Sequence, residues 1–147
     1  MDSRIVDKQD EQPFSAYMDE FNNDLPAGEG GAIVSFTGIV REDRLGNTTD
    51  GRTTIGVEIE CIPDLATASL QAISGAIEQR PGIVKVVIIH FSGSFSIGEP
   101  LVHVIACAQH RQEGFMALED AVNQYKKEIP MWKKECYSDG SSAWIYH

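Results

Sequence analysis

The sequence predicts an α+β fold with a mixed or antiparallel sheet. Two observations predict this class. The hydrophobic pattern alternates between the period of strands and the period of helices, in the order βαββαββαββ. The strands come in adjacent pairs, whereas a doubly wound parallel sheet alternates single strands with helices. The 147 residues suit one domain, with an acidic N-terminal strand and helix segment over 1–29 and a core over 30–147.

The first half of the chain contains three predicted strands and two predicted helices. Ile5-Val6 predicts a short edge strand, and residues 14–21 predict a helix because large apolar side chains recur there at helical spacing. Residues 32–40 and 54–62 are rich in β-branched residues, which is typical of strands. Residues 63–80 predict a helix, because their apolar residues form one broad face.

The second half contains four predicted strands and one predicted helix. The strands are predicted at 83–91, 101–108, 133–137 and 143–146. Residues 112–127 predict a helix whose extension Pro130 blocks. The side chains expected to face inward from it are those of Phe115, Leu118, Ala121, Val122 and Tyr125. Glycine-containing segments at 92–94 and 97–100 are predicted to bracket a connection, and residues 138–141 predict a hairpin turn. The polar segment 41–53 is predicted to be a mobile loop.

The composition favours a cytoplasmic protein that does not bind nucleic acid. The formal net charge of -10 opposes the phosphate neutralisation on which nonspecific nucleic-acid binding depends. No apolar run approaches the roughly 20 residues of a membrane span, and no apolar segment follows Met1 to form a signal peptide. Cys61, Cys107 and Cys136 are odd in number and widely spaced, which fits a reducing compartment better than a disulfide framework.

A run of lysines near the C-terminus is the first candidate site. Lys126, Lys127, Lys133 and Lys134 fall in one short stretch that also contains Trp132, although the chain as a whole is acidic. Ammonium groups bind phosphate or carboxylate, and they lose protons readily when they are partly desolvated. The alternative is a solvated helix end, because lysines favour the last turn of a helix.

A second candidate anion site lies at Gln109-His110-Arg111, between a predicted strand and a predicted helix. Unpaired N–H groups and the positive dipole end of that helix would face an anion there. Arg111 can bind phosphate with two hydrogen bonds, and His110 can donate one. The alternative is that this segment is a polar connection on the surface. Arg41 lies at the end of a predicted strand, and the alternative for this residue is a solvated strand end.

The other histidines favour structural roles. His90 ends an apolar strand and is interpreted as a hydrogen-bonded, partly buried histidine. His103 and Cys107 share one face of a strand, with His110 nearby, but this spacing matches no common zinc site. We therefore expect neither a metal ion nor another cofactor.

Several segments resemble the large, catalytic subunit of molybdopterin synthase. In chain order these are Gly31-Ala32-Ile33-Val34-Ser35-Phe36-Thr37-Gly38-Ile39-Val40-Arg41, Ile89-His90, Ala108-Gln109-His110-Arg111 and the run from Lys126 through Pro130 to Trp132-Lys133-Lys134-Glu135. The spacing Lys-x-x-x-Pro-x-Trp-Lys and the preceding His-Arg pair are the specific part. The resemblance runs from about residue 30 to residue 144 and implies an α/β hammerhead fold.

The resemblance also implies a function. Such enzymes convert cyclic pyranopterin monophosphate to molybdopterin by inserting two sulfurs as a dithiolene. The sulfur arrives as a thiocarboxylate on the C-terminal Gly-Gly of a small ubiquitin-like subunit, whose tail enters a pocket of the large subunit. The implied assembly is a dimer of large subunits with a small subunit at each end, a heterotetramer.

Roles for individual residues follow from their match to the family motifs. Lys126 and Lys133 match the two lysines of the active pocket, and Lys133 is expected to move protons because the adjacent Trp132 ring would exclude water. The residues assigned to binding are Arg41, His110, Arg111, Lys127 and Lys134. The chain departs from the family pattern at Cys61-Ile62, where many relatives have His-Tyr, and at Phe91, where an arginine often stands.

A non-catalytic module is the alternative function. Such a module would bind a ubiquitin-like tail or a phosphorylated ligand in the same basic pocket, without turnover. The lysines distinguish the two functions, because a binding module should accept arginine at these positions, whereas a catalyst needs an ammonium that gives up a proton.

Overall fold

The computed structural model describes residues 1–42 and 52–145. Most of the predicted loop 41–53, and the end of the last predicted strand, lie outside these residues. The strands are β1 (Arg4–Asp7), β2 (Ala32–Ile39), β3 (Thr54–Cys61), β4 (Ile83–Ser96), β5 (Pro100–Ala108), β6 (Met131–Tyr137) and β7 (Ser142–Ile145). The helices are α1 (Phe14–Asp24), α2 (Pro63–Glu78) and α3 (Arg111–Glu128), and a short 3-10 helix covers Lys8–Asp10.

The predicted α+β class and the order βαββαββαββ are confirmed. The seven strands form one sheet, in which neighbours in the order β2-β5-β4-β3-β6-β7 are antiparallel. β1 is the exception and pairs in parallel with β4. The N-terminal segment is thereby joined to the central part of the sheet.

The predicted break at residues 92–94 is wrong. β4 continues through Gly93 to Ser96, and its last residues pair with β3 after its first residues have paired with β5. Gly93 has φ 124°, a backbone conformation that favours glycine, and it lies where the strand changes its partner from β5 to β3. One strand thereby connects the helix-covered part of the sheet with the β3–β6–β7 part.

Two apolar clusters cover the two faces of the sheet. One lies under α2 and α3 and contains Leu70, Ile88, Val104 and Tyr125. The other lies under α1 and contains Phe21 and further side chains of β4 and β5. Side chains alternate between the two faces along β4 and β5, so that both faces of these central strands are buried.

The burial of α3 differs from the prediction at one aromatic residue. Its buried stripe runs through Gly114, Ala117, Ala121 and Tyr125, whereas Phe115 is 58% exposed. Gly114 takes the inward position because it lies close to the β2 and β5 side chains of Val34 and Ala108. Phe115 is therefore rotated onto the surface. No helix among the described residues is long and apolar enough to cross a membrane.

Substitutions at two glycines test how tightly β3 is packed. A Cβ at Gly56 would lie 2.4 Å from the backbone oxygen of Phe95, whereas one at Gly75 in α2 meets nothing within 4 Å. We expect Gly56→Ala to lower the free energy of unfolding by about 1–3 kcal/mol, because neither strand can move freely. Gly75→Ala should raise it by roughly 0.5–1 kcal/mol. Urea unfolding of both variants measures the difference, and equal effects would contradict this packing.

Candidate functional site

A cavity of about 720 Å³ opens where β2 and α3 end and β6 begins. Its volume lies within the range of small-ligand sites. Apolar side chains, including Phe36, Val57, Ile59 and Met131, form much of its lining. The charged residues that line it are Arg41, Lys126, Lys127, Lys133 and Glu135.

The end of α3 places two of the lysines at this cavity. Lys126 and Lys127 lie in the last turn of the helix, which ends because Ile129 adopts an extended conformation before Pro130. The negative end of the helix dipole favours these cations, so the predicted helix-end role is compatible with a role in the site. The chain then enters β6, which forms one wall.

Most of the β6 side chains that line the cavity share one face of the strand. Met131, Lys133 and Glu135 occupy alternate positions and all line it. Lys133 and Glu135 are separated by about 6.6 Å along the strand. Lys133 forms no ion pair with any residue that the structure describes. Its positive charge is thus available to a ligand.

Lys134 lies on the other face of β6, so the structure does not bring it to the cavity. Its Nζ is 3.1 Å from the Glu58 carboxylate and 5.1 Å from the centre of the Trp144 ring. The hydrogen bond from Lys134 to Glu58 raises the pKa of this lysine. Trp132 is 47% exposed and lies at the cavity rim, so it gives Lys133 less shelter from water than expected.

His110 and Arg111 do not line the cavity of their own chain. Arg111 begins α3 and Lys126 lies in its last turn, so a rise of about 1.5 Å per residue separates them by about 22 Å. Both residues are exposed, and His110 Nδ1 lies 3.5 Å from the Glu113 carboxylate. The structure thus brings Arg41 together with three of the four lysines, but it leaves the predicted His-Arg pair at the opposite end of the helix.

Two buried groups, His90 and Tyr125, also line the cavity. The pKa of His90 is lowered to about 4, chiefly by burial; a hydrogen bond with the Phe91 carbonyl opposes the shift, and the nearby Lys133 charge contributes to it. Burial raises the pKa of Tyr125 to about 12. Both side chains are therefore neutral near pH 7.

Sequence reasoning missed Glu135 and Tyr125 as lining residues. Glu135 follows Lys133 at the two-residue spacing of a strand, so alternation could have indicated it. Tyr125 was predicted only as a core residue, which its burial confirms. His90 was interpreted as a histidine whose ring is hydrogen-bonded within the fold, and its hydrogen bond to Phe91 agrees with that interpretation. Its place at the cavity depends on how α3 packs on the sheet.

Of the residues considered for a metal site, His103 and Cys107 are buried in the core, whereas His110 is exposed. His103 Nδ1 lies 2.8 Å from Thr37 Oγ1, and its ring packs against Phe14, Tyr17 and Phe91. Within residues 1–42 and 52–145, no three His, Cys, Asp or Glu side chains are arranged to hold a metal ion.

Comparison with known proteins identifies the family. The family model described as "MoaE protein" matches residues 9–128. A molybdopterin synthase catalytic subunit of Bacillus subtilis is 35% identical over 117 residues, which cover 80% of this chain and 71% of the relative. A probable molybdopterin synthase of Haloferax volcanii is 34% identical over 79% of this chain, but the matched part is only 43% of that longer protein.

Solved structures agree with this result. The crystal structure of molybdopterin synthase from Staphylococcus aureus has a TM-score of 0.82 and 31% identity, covering 99% of this chain and 97% of that one. A protein–protein complex of subunits 1 and 2 of molybdopterin-converting factor from Helicobacter pylori has a TM-score of 0.70, covering 97% of this chain and 88% of that one. At 18% identity it shows the fold alone. The chain belongs to the MoaE family of molybdopterin synthase catalytic subunits.

Proposed function

We propose that this chain transfers sulfur from the thiocarboxylated C-terminus of a small ubiquitin-like protein to cyclic pyranopterin monophosphate, forming the dithiolene of molybdopterin. One observation carries the proposal. Arg41, Lys126, Lys127 and Lys133 line a single cavity, although the chain as a whole has a net charge of -10. Both reactants are anions, so the cavity concentrates positive charge where they must meet.

The lysines that line the cavity are suited to different roles. Lys126, at the helix end, is suited to orient the terminal glycine of the small protein and to stabilise charge that develops on its acyl group. Lys133, on the strand wall, is suited to move protons as the sulfur attacks carbon and the substrate oxygen leaves. Arg41 and Lys127 add charge that holds the phosphate. Glu135 can accept hydrogen bonds from N–H groups of the pterin.

His110 and Arg111 fit this proposal only in a homodimer. Their distance from the cavity excludes direct contact within one chain, so they would have to reach the cavity of a second copy. Phe115 and Met116, which follow them on α3, are 58% and 63% exposed, and β2 ends the antiparallel strand order. An exposed strand edge beside large apolar side chains is suited to association. We propose that this face joins two copies, each of which also binds one small protein.

Turnover tests the proposed function directly. The full chain would be mixed with a thiocarboxylated small protein and cyclic pyranopterin monophosphate, and dithiolene product would be measured. The same mixture with a small protein that ends in an ordinary carboxylate is the control. Binding of the small protein without product would support the non-catalytic module instead.

A mixing experiment tests whether Arg111 acts across the dimer. Charge-assisted hydrogen bonds are worth about 1.5–3 kcal/mol, so Arg111→Ala should weaken substrate binding by roughly tenfold or more. When Arg111→Ala chains are mixed and re-equilibrated with Lys133→Ala chains, each mixed dimer would contain one cavity with both residues intact. We expect activity above that of either variant alone. No gain, with mixed dimers confirmed by mass, would place Arg111 outside the site.

A further inference from the structure

His90 is a buried titratable group beside the cavity to which the proposed reaction gives no role. It is 4% exposed, lies near the end of the helix-covered part of β4 and contributes to the cavity lining. An apolar side chain of similar size would require less free energy to bury at this position, so the presence of a polar ring calls for a physical reason.

The hydrogen bond of His90 fixes its tautomer. Nδ1 lies 2.9 Å from the backbone oxygen of Phe91, and a carbonyl oxygen can only accept, so Nδ1 carries the proton. In the neutral ring, Nε2 is then an acceptor with a free lone pair. The ring is also held from the side, because it packs edge-on against Tyr125 with 5.5 Å between ring centres.

Lys133 is the cation best placed to use this acceptor. Its side chain and that of His90 line the same cavity, and the Lys133 charge lowers the pKa of His90. Lys133 has no carboxylate partner among the described residues, whereas its neighbour Lys134 is paired with Glu58. A neutral acceptor has an advantage here, since it can orient an ammonium without neutralising the charge that an anionic substrate needs.

We propose that His90 is a positioning residue: its Nε2 accepts a hydrogen bond from the Lys133 ammonium and holds Nζ in the orientation that serves the bound substrate. This inference rests on the proposed function for its kinetic consequence. The structure has no hydrogen bond between these two side chains, so the contact requires Lys133 to adopt another rotamer in the cavity, and it can be tested without the reaction. A lysine on a flexible stem samples many rotamers, and a fixed acceptor restricts them before the substrate arrives.

Nuclear magnetic resonance of the full chain tests the contact without any reaction. The ring nitrogens of His90 would be followed in the wild-type chain and in Lys133→Met and Lys134→Met. We expect the Nε2 signal to shift and the pKa of His90 to rise in Lys133→Met only, because the nearby cation has been removed. Equal spectra in the wild-type chain and Lys133→Met would overturn the proposal.

Turnover of two His90 variants tests the kinetic consequence of this contact. His90→Phe fills a similar volume without an acceptor, whereas the side-chain oxygen of His90→Gln can replace Nε2. We expect His90→Phe to lower kcat by about tenfold with KM nearly unchanged, and His90→Gln to recover most of that loss. Equal losses in two folded variants, or no loss in either, would contradict positioning. If the wild-type chain shows no turnover but the His90 ring responds to Lys133→Met as expected, the proposed function is refuted and the contact between His90 and Lys133 is retained.

Discussion

Replacing Lys133 by alanine should abolish turnover while leaving binding of the small protein intact. Lys133 lines the cavity from the wall formed by β6 and has no ion pair with another described residue. In the proposed reaction it moves a proton at the step in which the substrate oxygen leaves. Positioned proton transfer typically contributes a factor of about 10² to 10⁴ in rate, so the loss should approach the detection limit of the assay.

The neighbouring lysine provides a matched control for that experiment. Lys134 has the same chemistry and lies one residue away, but it is on the opposite face of β6, bonded to Glu58. Lys134→Ala should therefore retain nearly full turnover, although both variants lose one positive charge. Single-turnover rates and small-protein affinity would be measured for the two variants side by side. A Lys133→Ala chain with a near-normal rate, or equal losses in both variants, would remove Lys133 from the mechanism.

Replacing Lys126 by arginine should lower the rate at least about tenfold, which corresponds to about 1.4 kcal/mol of activation free energy. Arginine keeps the positive charge but presents a wide planar group that does not give up its proton. At the end of α3 the larger group would displace the acyl carbon that Lys126 is proposed to orient. Steady-state kinetics with saturating small protein would measure the loss.

Lys127→Arg is the control for this second experiment. Lys127 occupies the same helical turn and lines the same cavity, but we propose that it contributes charge only. Its replacement by arginine should change the rate little. If Lys126→Arg is also fully active, the cavity needs only positive charge at that position. The non-catalytic binding module would then be the better description.

Local sequence patterns were sufficient for most of the secondary structure. The periodicity of α2 and the apolar runs of β4 and β5 are strong local signals; α2 and β5 lie where they were predicted, and β4 begins where it was predicted. The continuation of β4 past Gly93 was missed because a glycine in a serine-rich segment has the composition of a turn. Its strand conformation is imposed by pairing with β3, and a single segment carries no information about its partner.

Part of the candidate site was also predictable from sequence. The concentration of lysines around Pro130 and Trp132 indicated an anion site, and three of those four lysines do line one cavity with Arg41. The proline follows the end of α3 and a strand begins after it, so the placement of Lys126 and Lys127 at the helix end depends on nearby residues only.

By itself, then, the sequence determined the class of the fold, the order of its elements and the positively charged end of α3, because each depends on residues close together in the chain. Only the tertiary structure decided which lysine faces the cavity, that His90 and Tyr125 lie beside it, and that His110 and Arg111 are far from it. These outcomes depend on strand alternation, helix packing and sheet order, which bring distant segments together or keep them apart through contacts that no local pattern encodes.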